Sequence, residues 1–186
     1  ANEPRSVWYT ANITNQEPQA VRYATQLALL NGGGALLPAG RWIKEVTSSR
    51  NYGTSVMTGF AIANDGKVYA WGWNNQGQLG LGHTDAANTP QRAPGWEGAT
   101  RISASGDATL ALMPDGSLKG AGWNANASLG IGPVSYTVVS TPTTLTGISG
   151  AGDISTAYAT SMALVGGELR YWGNGGRFAP GAQAAP

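Results

Sequence analysis

Apolar positions along this chain fall in short alternating segments rather than at helical spacing. Phe60, Ile62 and Val68, and later Leu110, Leu112 and Leu118, flank an Asp-Gly pair at Asp65 and Gly66 and again at Asp115 and Gly116. Alternation with period two marks strands that pack one face, and a glycine after aspartate supplies the positive φ of a tight hairpin. Each pair of segments therefore reads as an antiparallel hairpin. No window sustains the 3.6-residue period of an amphipathic helix; the best candidate, 20–30, aligns with a strand segment of a later unit. The pattern predicts an all-β chain.

The hairpins recur. NDGKVYAWGWNNQGQLGLG, which starts at Asn64, returns 50 residues later as PDGSLKGAGWNANASLGIG, with Leu79, Gly80 and Gly82 matched by Leu129, Gly130 and Gly132. A third copy, GGELRYWGNGG, sets Gly167, Leu169 and Gly173 at an offset of 51 from Gly116, Leu118 and Gly122. The connecting segments keep step: Thr89 and Pro90 match Thr141 and Pro142, and Ile102 with Ser103 match Ile154 with Ser155. A degenerate earlier copy, YATQLALL from Tyr23, resembles YATSMALV from Tyr158. A lone hairpin cannot bury its apolar face, so side-by-side stacking of the units is expected. The chain divides as one repeat domain over 1–186: an N-terminal strand or arm at 1–21, a degenerate repeat at 22–42, repeats at 43–98 and 99–150, a partial repeat at 151–176 and an extended tail at 177–186.

Apolar strand, DG turn, short strand, aromatic plus Gly, Asn, then QLGLG and a downstream Pro: this order resembles the repeat of the regulator of chromosome condensation family, over about residues 43 to 176. The resemblance implies a β-propeller, commonly seven-bladed, built from four-stranded sheets around an axis. Two full units and two partial ones make about half of such a ring. Three closures are consistent with that count. The N-terminal SVWYTANI could supply a strand missing from the last unit. Two chains could share a ring, as an oligomeric closure. The same hairpins could also build a different sheet arrangement.

Composition narrows the chemistry. Charged residues make up 11%, against about 25% in typical domains, and the net charge of +1 comes with no basic cluster. A nucleic-acid partner is therefore not expected. With no cysteine there are no disulfides, thiolate metal sites or cysteine nucleophiles. No apolar run approaches the roughly 20 residues of a membrane span, and the polar start carries no signal-peptide pattern, so a mature chain or one lacking its targeting segment is expected, with no membrane insertion.

Catalysis has few candidates. The single histidine, His83, stands near Asp85 without further His or acidic neighbours at metal spacing. Asp65 and Asp115 are explained by their turns, and neither a phosphate loop nor a GxSxG elbow is present. The expectation is a protein that is not an enzyme, with no catalytic residues, no metal and no cofactor. Trp71 and Trp172 precede the Gly of their repeat and read as core, and Trp96 in PGWEG reads as a buried anchor. Trp73 with Asn74 and Trp123 with Asn124 follow that Gly in two units, pairing a flat apolar face with an amide. That combination suits a sugar ring and its hydroxyls. The candidate ligand-binding set is Trp73, Asn74, Asn75, Gln76, Trp123, Asn124 and Asn126; in the other reading of these loops the indoles plug gaps between units. Asn12 with Thr14 and Asn126 with Ser128 also match the glycosylation triplet.

Low charge with abundant Gly, Thr, Asn and Trp suggests an extracellular or cell-surface recognition domain. The expectation drawn from it is the adhesin domain of a bacterial pilus or similar appendage, which binds cell-envelope polysaccharide or lipopolysaccharide. The alternative is a protein–protein interaction module or an enzyme-inhibiting propeller. The family resemblance itself implies several unrelated roles, among them nucleotide exchange on a nuclear GTPase with chromatin binding.

Overall fold

The computed structural model describes residues 7–9, 25–27, 41–50, 57–132 and 136–173. Most of the degenerate repeat at 22–42, all of the tail at 177–186 and the triplet at Asn12 lie outside these residues. Strand β1 (Val7–Tyr9) pairs antiparallel with β2 (Thr25–Leu27). A four-stranded sheet follows in the order β3 (Ile43–Arg50), β4 (Met57–Ala63), β5 (Val68–Gly72) and β6 (Ala87–Arg92). The second sheet repeats it with β7 (Arg101–Ala104), β8 (Ala108–Leu112), β9 (Leu118–Trp123) and β10 (Val138–Thr144). A third, with three strands, is β11 (Ala151–Ala157), β12 (Thr160–Val165) and β13 (Glu168–Gly173). All pairings are antiparallel meanders, so the described chain is an all-β array of propeller-type blades without a closed ring. Among the described residues the closure by the N-terminal segment is not seen: Val7–Tyr9 pair with Thr25–Leu27 and not with the third sheet.

The hairpin turns form as their sequence dictates. Gly66 and Gly116 sit at φ +81° and +77°, and the preceding carboxylates accept the main-chain N–H of Lys67 at 3.3 Å and of Ser117 at 2.9 Å. In the outer strands the recurring Thr-Pro also has a structural reason. Pairing of β10 with β9 slips between Val139 and Thr143, and Pro142, which has no N–H to offer a ladder, stands in that break and packs against Gly80 and Gly95.

Alternation breaks down where blades stack on both sides. Every residue of β8 is buried: Leu110 and Leu112 face the third sheet, and Ala111 faces the first. Phe60, Ile62, Val68 and Ala70 of the first sheet meet Ile102, Ala111 and Ala121 of the second. The next seam packs Leu110, Leu112 and Leu118 against Ile154, Ala163 and Trp172. Each seam holds one fully buried indole, but from a different place. Trp96, in the 3₁₀ turn Pro94–Trp96 between the first two sheets, fills one seam beside Ala121, and its Nε1–H donates to the Leu79 carbonyl at 2.8 Å. Trp172, on β13, fills the other beside Ile148 and donates to the Ser128 carbonyl at 3.1 Å.

At the end of the third strand of each blade, Gly72, Gly122 and Gly173 take φ of +100°, +124° and +99°. A Cβ on Gly122 would overlap the Asp107 carbonyl oxygen, and one on Gly72 or Gly173 would meet the corresponding oxygen of Met57 or Ala159. Gly122→Ala is therefore expected to destabilise the fold by on the order of 2–3 kcal/mol, read as a lower urea midpoint at unchanged slope. A wild-type midpoint would show that the backbone yields at no cost.

Candidate functional site

The loops that follow these glycines hold the residues singled out in the sequence. The Trp73 N–H donates to the Met57 carbonyl at 2.9 Å and the Trp123 N–H to the Asp107 carbonyl at 2.8 Å, so the two indoles leave their blades from matching anchor points. Both side chains are half-buried. The Trp73 indole nitrogen is enclosed without a hydrogen-bond partner. Trp123 lies against Tyr136, ring centroids 6.3 Å apart at 46°, and opposite Val138 across the β9–β10 pair.

The amides beside the indoles are committed inward. Asn74 is fully buried; its Nδ2 donates to the carbonyls of His83 at 2.9 Å and Asp85 at 3.0 Å, and its Oδ1 accepts the Leu79 N–H at 2.9 Å. One side chain thus pins both ends of the NNQGQLG loop. Asn124 is also buried, and its Oδ1 accepts the Leu129 N–H at 3.2 Å. Asn75 is exposed, whereas Gln76 and Asn126 are half-buried. Ser128 of the Asn126 triplet is buried and donates its hydroxyl to the Trp123 carbonyl at 3.2 Å. Gln78, not among the candidates, is buried and reaches the second sheet, where its Nε2 donates to the Gly106 carbonyl at 3.0 Å. The Gly82 N–H donates to the Ser140 carbonyl at 2.9 Å, so the first loop lies against the outer strand of the next blade.

The structure thus brings Trp73, Asn75 and Gln76 onto one loop and Trp123 and Asn126 onto the loop of the adjacent blade, while Asn74 and Asn124 serve as internal clamps. It adds Tyr136 and Val138, both exposed, and Met57, exposed beside Trp73. Val138 opens the outer strand β10, and Tyr136 stands two residues before it. None of the eight side chains Met57, Trp73, Asn75, Gln76, Trp123, Asn126, Tyr136 and Val138 is charged.

Charged residues flank this end: Arg50 stands opposite Met57, Asn74 holds the Asp85 carbonyl, and the Asp107 carbonyl anchors Trp123. Others lie at the inner strands and the hairpin turns. Arg101 pairs with Asp153 at 2.9 Å, and Glu45 accepts the Ile102 N–H at 3.3 Å, at the rim of an open depression of about 610 Å³ where the first strands of the three sheets converge. At the hairpin turns, burial pushes the Asp65 carboxyl up, but the Lys67 N–H and the nearby Arg41 and Lys67 charges outweigh it and hold the group below its ordinary value. The Ser117 hydroxyl and N–H do the same for Asp115. Both are ionised turn formers, unsuited to proton transfer near neutral pH. His83 Nδ1 accepts the Asp85 N–H at 3.2 Å, and among the described residues no three His, Asp or Glu are grouped to hold a metal.

Stacked four-stranded meanders whose inner strands converge define a propeller-repeat scaffold. Residues 65–112 match the Regulator of chromosome condensation (RCC1) repeat, and the fold is an incomplete array of RCC1-type β-propeller repeats. Over 60 residues it is 38% identical to the ultraviolet-B receptor UVR8 of Arabidopsis thaliana, a match covering 31% of this chain and 14% of the receptor. An RCC1-like G exchanging factor-like protein of Mus musculus is also 38% identical over 60 residues, 13% of its length. Among solved structures, human WBSCR16 superimposes with a TM-score of 0.67 at 21% identity, over 88% of this chain and 39% of that one. Yeast RCC1 (Prp20), solved bound to Kap60, gives 0.61 at 24% identity, over 72% of this chain and 32% of that one. Prp20p from Saccharomyces cerevisiae, described with its binding to Gsp1p and histones, gives 0.64 at 24% identity, over 77% and 36%. The chain spans well under half the length of each.

These likenesses correct the functional expectation. The polysaccharide or lipopolysaccharide partner and the pilus adhesin are overturned, because the relatives of this fold are described with protein partners: Kap60, Gsp1p and histones. The extracellular or cell-surface placement falls with them, since it rested on the same adhesin reading and Prp20p is described with Gsp1p and histones. The physical reason for the error is that neutral aromatic loops suit a sugar ring and a protein surface equally well.

Proposed function

We propose that the chain is a protein–protein interaction module and that its contact face is the loop end of the first two blades. The observation that carries this reading is the pair Trp73 and Trp123, half-buried at matching positions of adjacent blades. Half-buried tryptophans on a rigid base are held in place and still offer apolar area, which is the character of interface hot spots. Kap60 binding by Prp20 supports the class of partner.

The test isolates a binding protein with the wild-type chain, purifies it and measures the binary complex. Trp73→Ala with Trp123→Ala is expected to weaken that complex by at least about 30-fold, the loss of one hot spot of about 2 kcal/mol, with the far-UV spectrum unchanged. A folded double variant that binds as tightly as wild type would place the contact elsewhere.

A further inference from the structure

Serine and threonine hydroxyls sealed from solvent need partners. The oxygens of Ser49, Thr58 and Thr109 are buried and have none in the protein. All three face one seam. Ser49 lies directly opposite Thr58 on the neighbouring strand, so the two share a face of the first sheet. Thr58 alternates with Phe60, which packs toward the second sheet, and Ser49 alternates with Thr47 and Glu45, whose carboxylate reaches across to the Ile102 N–H. From the other side, Thr109 alternates with Ala111 and stands opposite Ala121, both packed against the first sheet. The next seam treats its hydroxyls differently. There Ser161 donates to the Ser128 carbonyl at 2.6 Å, and Ser103 and Thr156 are 3.0 Å apart.

We propose that the seam between the first and second sheets is a binding site for ordered water, bridging the hydroxyls of Ser49, Thr58 and Thr109. Water is the ligand these groups fit: each hydroxyl both donates and accepts, none is charged, and a bridging water needs two to four such partners. The proposal is independent of the contact face at the loop ends.

Diffraction from crystals of the 186-residue chain tests it directly. Expected is solvent density within about 2.7–3.0 Å of at least two of the three hydroxyl oxygens; a seam with no such density overturns the proposal. Stability gives a second readout. Thr58→Val and Thr109→Val keep the shape and remove a water ligand, so each is expected to lower Tm by about 2–4 °C, and the double variant by less than the sum because one bridge serves both. An unchanged or raised Tm in the single variants is what replacing an unhydrated, unpaired hydroxyl would give, and it too overturns the proposal. If a variant fails to fold, the wild-type density decides.

Discussion

Trp172→Ala is expected to cost about 3–5 kcal/mol of folding free energy, the range for emptying a buried aromatic site. Its side chain is fully buried among Leu110, Leu112, Leu118 and Leu145, and its N–H serves the Ser128 carbonyl. Truncation therefore leaves a cavity and an unpaired acceptor together. Urea unfolding measures the loss as a drop in midpoint, and a loss below about 1 kcal/mol would show that the seam collapses around the smaller side chain. The first seam already uses alanine at the matching place, Ala121, because Trp96 arrives from the connecting turn. The double variant Trp172→Ala with Ile148→Trp rebuilds the second seam in that form. It should recover part of the loss, and no recovery would mean that the two seams differ in more than the source of their indole.

Asn74→Ala should be comparably severe, at about 3 kcal/mol or more, since it leaves the carbonyls of His83 and Asp85 and the N–H of Leu79 without their partner. Asn74→Asp makes the cause visible. It keeps an acceptor for Leu79 but turns an oxygen toward two carbonyl oxygens, so it should be no better than alanine. Amide exchange at Leu79 would accelerate in the alanine variant and stay protected in a loop closed by other contacts. A stability close to wild type in both variants would show that the loop is held from the blade side, through Gln78 and Trp96.

The fold was largely legible in the sequence because each hairpin is dictated locally. Asp65 and Asp115 bond the backbone two residues on, and Gly66 and Gly116 take the φ that the turn demands. Burial of Trp172 was legible from its place before the repeat's glycine and that of Trp96 from the PGWEG turn, whereas Trp71, at the same repeat position as Trp172 and also read as core, is only half-buried. The role of the loop amides was not. Asn74 and Asn124 carry donors and acceptors that serve a ligand or their own loop equally, and only the three-dimensional return of His83 and Leu79 to Asn74 decides between them. Tyr136 and Val138 escaped notice because they join the site through pairing of β10 with β9, a contact that no spacing within the loop reveals. The choice between sugar and protein as partner lies beyond residue type altogether, since neutral aromatic loops serve both.

The divided supply of indoles sets limits on how such an array can grow. If residues 43–98 were duplicated in tandem, Trp96 of the first copy would meet Trp71 of the second, which occupies the place held by Ala121 and Trp172 in the later sheets, and two indoles would compete for a seam that holds one. Duplicating 99–150 would bring Ile148 to Ala121 and leave a seam with no indole at all. The segment that can be inserted without changing either neighbour therefore carries one complete seam, so splice points placed just after the third strand of a blade, beyond Trp71, Ala121 or Trp172, should be tolerated where those chosen at the blade boundaries are not.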